Sequence, residues 1–229
     1  EMQGEEPGKK TGQVRWFGDI TPNHLYGIAL DPSLGTGGDY AAMEIFDANT
    51  MTQVAEWKHN KTTIPEQVRI FADIIKALES QVGERNNIYY SVENNTIGEA
   101  ALISIADYGE DSVKGVFLSE DKKAGVGRRY RKGFNTTNKN KIASCSKFKT
   151  LIEQKRLTVK SKALISELKN FVAHGTSYAA KPGEHDDLVM ATILAVRMLQ
   201  QIQNYHKSIG QTMTDHSDNR IDPMPFIMF

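Results

Sequence analysis

Four acidic residues stand where predicted strands end or where a predicted helix begins. They are Asp31 after the apolar run YGIAL, Glu93 after IYYSV, and Asp186 and Asp187 before LVMATILAVRML. Carboxylates gathered at one place repel one another, so one of them normally stays protonated unless a cation is present. Mg2+ and Mn2+ prefer oxygen ligands, and a pair of such ions can promote phosphodiester hydrolysis. These residue types therefore indicate metal-assisted hydrolysis.

Each of these acids also has an ordinary structural explanation. Asp31 precedes Pro32 and suits the opening of a turn. Glu93 suits a loop or the start of the helix that follows it, and either Asp186 or Asp187 suits a helix N-cap. The residues alone leave the structural and the catalytic explanations open.

The elements that must position the acids follow from hydrophobic periodicity. HLYGIALDP predicts a buried strand that ends at Asp31, and YAAMEIFDA with QVAEWKHN predicts a hairpin. TTIPEQVRIFADIIKALESQ predicts a helix that starts near Thr63, and NIYYSVENN predicts a strand that ends at Glu93. A meander followed by alternating strands and helices predicts an α/β fold with a mixed sheet. In open α/β sheets, chemistry collects beyond the carboxyl ends of strands.

The second half of the chain is predicted to be mostly helical. GEAALISIADYG, KNKIASCSKFKTLIEQK and SKALISELKNFV predict three helices, and VKGVFLS and RLTV predict strands. The stretch from Asp121 to Asn138 predicts a loop or an exposed hairpin. A final helix is expected from near Glu184 to about Tyr205.

Charge is distributed unevenly along a chain whose formal net charge is +0. Between Lys122 and Lys169 there are fifteen Lys or Arg residues and two acids, Glu153 and Glu167. Such a region predicts a face that meets a polyanion, although a solvated lysine-rich surface is the alternative.

Several classes of protein are disfavoured by what the sequence contains. The one cysteine, Cys145, excludes an intrachain disulfide and a cysteine-based metal site. No apolar run reaches the roughly 18 residues of a membrane span, so no membrane partner is expected. The segment GKKT lacks the spacing of a P-loop, so no ATP hydrolysis is expected. We expect a linker remnant at 1–20, one domain at 21–206 and a tail at 207–229.

The segments YGIALDPSLGTGGDYAAMEIFD, YYSVENNTIGEAAL and HDDLVMATILA together resemble the acidic motifs of a known family. They are similar to the nuclease domain of the large terminase subunit, and most closely to that of T-even-like tailed bacteriophages. Large terminase subunits are DNA-packaging motors with an N-terminal ATPase domain and a C-terminal nuclease domain. The resemblance covers roughly residues 26–200 and implies an RNase H-like mixed central sheet flanked by helices.

The resemblance implies a role for each acid. Asp31 matches the metal-bridging aspartate of the first motif, and Glu93 matches the glutamate of the second. Asp186 and Asp187 match the third motif, and which of them is the main metal ligand stays open. Asp39 matches a further family acid near the site.

Other residues are expected to support the site or to bind DNA. His185 is expected to support the metal ligands, or else to be an ordinary exposed residue at the helix start. GFNTTNKNK resembles a family segment in which adjacent threonines precede a helix, and it lies in the basic region that would hold phosphates. The expected DNA-binding residues are Lys122, Lys123, Arg128, Arg129, Arg131, Lys132, Thr136, Thr137, Lys139 and Lys141.

The implied activity is that of a two-metal-ion endodeoxyribonuclease that uses Mg2+ or Mn2+. It would cut double-stranded viral DNA with little sequence specificity, and it would cleave concatemers to initiate and terminate genome packaging in the host cell cytoplasm. The implied partners are the N-terminal ATPase domain of the same polypeptide, absent here, and the portal and small terminase proteins.

Three other functions are weighed. A Holliday-junction resolvase or transposase-type nuclease shares the fold and the acids, but a resolvase would prefer four-way junctions. ALDPSLGTGG weakly resembles the first phosphate loop of actin-like and sugar-kinase ATPases, but the sequence lacks the other motifs of that class. A non-catalytic DNA-binding or docking module would retain DNA without metal and would not cleave it.

Overall fold

The computed structural model describes residues 2–120 and 132–206. Within these residues the central sheet has seven strands in the order β1-β2-β5-β4-β3-β6-β7. Strand β6 runs parallel to β3 and β7, and the other neighbours are antiparallel. The predicted mixed sheet is therefore confirmed. The strands are β1 Lys9–Thr11, β2 Val14–Trp16, β3 Tyr26–Asp31, β4 Ala41–Asp47, β5 Thr52–His59, β6 Ile88–Val92 and β7 Val116–Phe117.

Helices cover both faces of the sheet, as an α/β fold with a mixed sheet requires. One face packs against α1 and α2, and the opposite face packs against α3, α4 and α5. Each face contributes its own apolar cluster, so the sheet separates two halves of one core. The helices are α1 Ile64–Val82, α2 Thr96–Tyr108, α3 Asn138–Glu153, α4 Lys162–Asn170 and α5 Asp187–Tyr205.

Helix α5 is buried on almost every side, which explains its nearly unbroken apolar sequence. It lies across β3 and β4 and is covered by α3 and α4. A helix that is hydrophobic all round belongs inside a core. Packing on several sides holds α5 rigidly, and its first turn points to the end of β3 where Asp31 lies.

The first twenty residues contribute to the sheet, although the sequence predicted a linker there. Strands β1 and β2 form a hairpin, and β2 pairs with β5 through Arg15–Glu56 and Trp16–Ala55. Gly12 at the turn has a φ of 58°, which glycine adopts readily. The side chain of Val14 is buried against the α1 side of the core. The sheet therefore starts earlier in the chain than the predicted boundary at residue 21.

The structure adds a second hairpin that the sequence did not predict. Strands β8 Phe171–His174 and β9 Ser177–Ala180 pair with each other outside the main sheet. The predicted helix SKALISELKNFV accordingly ends at Asn170, and the predicted strand RLTV is reduced to an isolated bridge between Thr52 and Thr158.

The predicted tail at 207–229 and most of the predicted loop at 121–138 lie outside the described residues. Within 2–120 and 132–206, the helices fall short of the length and apolarity that crossing a membrane requires.

Candidate metal centre

A row of three residues crosses strands β3, β4 and β5. Asp31 is paired with Ala42, and Ala42 is paired with Lys58, in the antiparallel register of these strands. Directly opposed residues in antiparallel strands share a face of the sheet. Ala42 belongs to the core cluster on the α5 side. Asp31 and Lys58 therefore both face α5, with the methyl group of Ala42 between them.

Glu93 is brought beside Asp31 by the parallel pairing of β6 with β3. Leu30 is paired with Val92, and the backbone N–H of Glu93 donates to the Leu30 carbonyl at 3.0 Å. Glu93 is 7% exposed and its backbone forms a bridge with Phe134. The two predicted strand-end carboxylates thus meet at the same edge of the sheet.

A tight turn after Glu93 leads into helix α2 and fixes the glutamate. The Oδ1 of Asn95 caps the helix by accepting from the N–H groups of Ile97 and Gly98 at 3.0 and 2.8 Å. A Cβ on Gly98 would lie 1.7 Å from the carbonyl oxygen of Glu93, which explains the glycine. Asn95 Nδ2 also donates to Glu93 Oε2 at 3.4 Å. The turn therefore orients both the backbone and the carboxylate of Glu93.

The carboxyl group of Asp31 lies among three other acidic groups. Burial raises the pKa of Asp31 well above its ordinary value, and the charge of Glu93 and a hydrogen bond with it raise that pKa further. Asp187 and then Asp186 act in the same direction with smaller effects. Carboxylates in contact cannot both ionise freely. Asp31 consequently keeps its proton to a higher pH than an exposed aspartate does.

Helix α5 begins at the acidic pair, but its N-cap side chain makes no capping hydrogen bond. Asp186 holds the N-cap position, and its Oδ2 accepts from the N–H of Ala180 in β9 at 3.2 Å. Asp187 is the first helical residue. The capping bond comes from α4, where Glu167 Oε2 accepts from the N–H of Val189 at 3.1 Å. The capping explanation for the acidic pair is therefore not supported by the structure.

Lys58 connects Asp187 to Glu167. Its ammonium nitrogen lies 2.5 Å from Glu167 Oε1 and 3.1 Å from Asp187 Oδ2, and 4.3 Å from the centre of the Tyr40 ring. Asp187 Oδ2 is buried and, within the described residues, accepts no well-aligned hydrogen bond. We regard the contact between Lys58 and Asp187 as electrostatic, because the distance is short while the hydrogen-bond geometry is poor.

The two residues expected to support the site differ in their surroundings. His185 Nδ1 lies 3.6 Å from Asp187 Oδ2, and its ring packs edge-on against Tyr40 with centres 4.9 Å apart. The His185 side chain is 51% exposed. Asp39 is exposed on the loop between β3 and β4. The structure thus brings His185, but not Asp39, into contact with the acidic pair.

The donor chemistry of the four acids fits a divalent cation. In the parts of the chain that the structure describes, no three His, Cys, Asp or Glu side chains are close enough to hold one as placed. Asp186 is bonded to Ala180, and Asp187 is drawn to Lys58. Burial is the largest cause of the raised pKa of Asp31, and repulsion from the neighbouring carboxylates adds to it. A hard cation with oxygen ligands would relieve that repulsion.

Comparison with known proteins decides the family. The model of the family described as Terminase RNaseH-like domain matches residues 28–199, which include all four acids. The chain belongs to this family. The resemblance seen in its three acidic motifs is thereby confirmed.

Solved structures share the fold of this terminase RNaseH-like domain. The large terminase nuclease from thermophilic phage G20c with bound magnesium has a TM-score of 0.62 and 22% identity, over 85% of this chain and 92% of that one. The same nuclease with bound cobalt has a TM-score of 0.61 and 21% identity, over 85% of this chain and 92% of that one. The Thermus phage P74-26 large terminase nuclease domain has a TM-score of 0.58 and 22% identity, over 84% of this chain and 88% of that one. At these identities the likeness shows the RNase H-like fold.

Only some of the expected DNA-binding residues of the terminase domain lie within the described residues. Thr137 is the N-cap of α3, and its Oγ1 accepts from the N–H of Asn140 at 3.2 Å. Lys132, Thr137 and Lys139 are exposed, Thr136 is partly exposed, and Lys141 Nζ lies 5.5 Å from the ring centre of Phe171. The expected residues outside the described part are Lys122, Lys123, Arg128, Arg129 and Arg131.

Residues 132–141, which we call the basic segment, are held next to the acidic site by Asn94. The backbone carbonyl of Lys132 accepts from Asn94 Nδ2 at 2.7 Å, and the N–H of Asn94 donates to the carbonyl of Phe134 at 2.7 Å. Asn94 follows Glu93 directly in the chain. The start of the basic segment therefore lies beside Glu93, a candidate metal ligand.

Sequence reasoning missed Lys58, Glu167 and Tyr40 as parts of this site. Glu167 was counted as one of two acids in a basic region, and Lys58 as an ordinary position of a predicted hairpin. The two residues are separated by 109 positions in the chain. Their pairing depends on how α4 packs beside β5, which local patterns do not reveal.

Proposed function

We propose that this terminase domain is a metal-dependent endonuclease that hydrolyses the phosphodiesters of double-stranded viral DNA with little sequence specificity. The observation that carries the proposal is that the pairing of β3 with β6 places Glu93 beside Asp31. Asp187 and Asp186 in the first turn of α5 lie near enough to add to the raised pKa of Asp31. The large terminase nuclease from phage G20c has been solved with bound magnesium and with bound cobalt. Family membership and this donor set support the use of Mg2+ or Mn2+, with two ions.

The proposed ligands are Asp31, Glu93, Asp186 and Asp187. Bound divalent cations supply Lewis acidity, which activates water and stabilises the leaving oxygen of a phosphodiester. Paired strands and the turn at Gly98 fix the backbone that carries Asp31 and Glu93. Rigid placement of this kind lowers the entropic cost of assembling a reactive geometry.

We assign Asp187 as the more direct ligand of the acidic pair. Asp187 acts more strongly than Asp186 on the pKa of Asp31. Asp186 is already bonded to the backbone of β9, and Asp187 Oδ2 is buried without a well-aligned hydrogen bond from the described residues. Asp186 then completes the site and connects it to the β8–β9 hairpin.

The proposed DNA surface begins beside the acids. Lys132, Thr136, Thr137, Lys139 and Lys141 lie on the segment that Asn94 holds next to Glu93. Contacts of lysine and arginine with phosphates are nearly independent of sequence and weaken strongly with salt. This surface accounts for binding of duplex DNA without recognition of a particular site.

Plasmid cleavage tests the proposal directly. The wild-type domain is incubated with supercoiled plasmid and Mg2+ or Mn2+, beside a chelator control and the variants Asp31→Asn and Asp187→Asn. We expect cleavage only with metal, and a loss of about 100-fold or more in each variant, as for removal of a group that stabilises a transition state. Cleavage that survives chelation, or that both substitutions leave intact, rules out the proposal.

Substrate comparison separates this function from that of a junction resolvase. Equal amounts of linear duplex and a four-way junction are offered with Mn2+. We expect similar rates on both, because the proposed surface contacts phosphates rather than a branched shape. Much faster cleavage of the junction would instead assign the domain to the resolvase class.

We further propose that the domain acts during genome packaging in the host cell, joined to an ATPase domain and in contact with portal and small terminase proteins. Membership in the terminase family supports this setting. Cleavage of concatemeric DNA at the start and the end of packaging is the corresponding reaction.

A further inference from the structure

We propose that Lys58 is a built-in counter-ion of Asp187 that limits how tightly the acidic site binds a divalent cation. The inference rests on the proposed function, because it takes Asp187 to be a metal ligand. It adds a residue from β5 that belongs to none of the three acidic motifs.

Three contacts hold the ammonium group of Lys58 in place. Glu167 and Asp187 lie at 2.5 and 3.1 Å from Nζ, and the ring of Tyr40 lies at 4.3 Å. The Lys58 side chain is 14% exposed, so water screens these contacts poorly. A cation–π contact adds to the attraction where the cation is partly desolvated. The ammonium group is therefore a fixed charge rather than a mobile surface lysine.

Glu167 cannot withdraw Lys58 from Asp187. The other carboxylate oxygen of Glu167 accepts from the N–H of Val189 in the first turn of α5, at 3.1 Å. Glu167 is thus fastened to the same helix end that carries Asp187. The lysine sits between two carboxylates whose spacing is set by the backbone of α5.

This position gives Lys58 opposite effects on the protein with and without a divalent cation. Without one, the ammonium offsets repulsion among the carboxylates and so stabilises the folded domain. A cation bound by Asp187 would share that carboxylate with the ammonium, and two positive charges a few ångströms apart repel. Lys58 consequently stabilises the domain in chelator while it weakens metal binding.

Replacement of Lys58 by methionine tests the inference through metal binding itself. Titration calorimetry with Mg2+ alone, and with Mn2+ alone, gives the dissociation constant without DNA or turnover. Lys58→Met is expected to bind either ion about tenfold more tightly than wild type, because a nearby like charge of this kind typically changes affinity by about that factor. Its thermal midpoint in chelator is expected to fall.

Lys61→Met is the matched control, since Lys61 is an exposed lysine just beyond the same strand. It removes one positive charge without touching the carboxylates and should change the dissociation constant less than twofold by screening. A Lys58→Met variant that binds metal no more tightly than Lys61→Met, or more weakly than wild type, overturns the inference. If the role of Lys58 were purely structural, Lys58→Met would lower both the stability of the domain and its affinity for the metal.

Glu167→Gln provides a second variant with the opposite expected sign. The amide oxygen can still accept from Val189, but Lys58 then has Asp187 as its remaining anionic partner. Metal binding should weaken several-fold, and this result would stand even if Lys58→Met failed to fold. Unchanged or tighter binding in Glu167→Gln overturns the inference.

Asp187→Asn separates failure of this inference from failure of the proposed function. If Asp187→Asn binds metal as wild type does, Asp187 is not a ligand and the proposed function loses its metal assignment. If Asp187→Asn loses binding while Lys58→Met does not gain it, the nuclease proposal stands and the role of Lys58 is refuted.

Discussion

Glu167 on helix α4 accepts a hydrogen bond from the backbone N–H of Val189 in the first turn of α5, at 3.1 Å. A side chain from another helix thus provides the capping hydrogen bond that the local sequence would lead one to expect from Asp186. Free N–H groups at a helix start require a partner, and because Glu167 is that partner for Val189, neither aspartate of the acidic pair is used as a cap. The two aspartates in front of the buried helix α5 therefore have a role other than capping it.

Capping by Glu167 predicts which substitution weakens the fold. Glu167→Ala should lower the free energy of unfolding by about 1 kcal/mol more than Glu167→Gln, because glutamine retains an acceptor for Val189. Asp186→Ala should cost less than Glu167→Ala, since Asp186 forms no capping bond. Urea denaturation in chelator measures all three. A larger loss for Asp186→Ala than for Glu167→Ala would contradict the assignment of the cap.

The turn at Gly98 predicts a narrow requirement for glycine. Gly98→Ala places a Cβ 1.7 Å from the carbonyl oxygen of Glu93, so α2 or the Glu93 segment must shift. We expect a loss of about 1–3 kcal/mol in unfolding free energy, as for overpacking, together with slower plasmid cleavage. Gly38→Ala is the control, because its Cβ would meet no atom within 4 Å. Equal stability of the two variants would refute the steric argument.

Glu44 predicts a pH dependence of stability. It is 0% exposed, its Oε2 accepts from Gln53 Nε2 at 2.8 Å, and its Oε1 has no hydrogen-bond partner among the described residues. Burial, and then the charge of Glu56, raise the pKa of Glu44 well above its ordinary value. The folded state therefore holds this proton more tightly than the unfolded state, where the pKa is about 4.3.

The sign of the effect follows from proton linkage. Stability contributed by protonated Glu44 is fully present below the unfolded pKa and is lost as the pH rises toward the raised folded pKa. Glu44→Gln carries no proton to lose, so its unfolding free energy should fall less than that of wild type between pH 5 and 8, by roughly 1 kcal/mol or more. Urea denaturation in chelator at both pH values measures this. Parallel pH profiles would exclude the role of Glu44.

The basic segment predicts the salt dependence of DNA binding. Lys139 is exposed in the first turn of α3, and Lys76 is exposed on α1 at the opposite face of the sheet. Lys139→Ala should weaken duplex binding and reduce the slope of log affinity against log salt by about 0.9, the value for one phosphate contact. Lys76→Ala should leave the slope unchanged. Fluorescence anisotropy with two unrelated duplexes measures both, and equal effects of the two substitutions would place DNA elsewhere.

The strand-end acids were predictable because their positions depend on local patterns. YGIAL and IYYSV are short apolar runs, and the residue after each run must lie at the end of a buried strand. That the two ends are adjacent depended on β6 pairing beside β3, which the meander and the helical crossover made a natural arrangement. The buried final helix was predictable for the same reason.

Long-range electrostatics were not predictable from these patterns. The contact of Lys58 with Glu167 joins a strand and a helix that are far apart in the chain. The hairpin of β1 and β2 was missed because the KKT segment of β1 is polar and exposed on all three residues, and because β2 pairs with β5, some forty positions later in the chain. Neither feature leaves a periodic signal within one segment, so each appears only when the sheet is assembled.

The hairpin of β1 and β2 also bears on the solubility of shorter versions of this domain. It covers part of β5, the strand that carries Lys58, by pairing Arg15 with Glu56 and Trp16 with Ala55. A chain that began at residue 21 would present those backbone groups of β5 as an open sheet edge, which is a template for aggregation. The first twenty residues thus protect the strand beneath the acidic site from self-association.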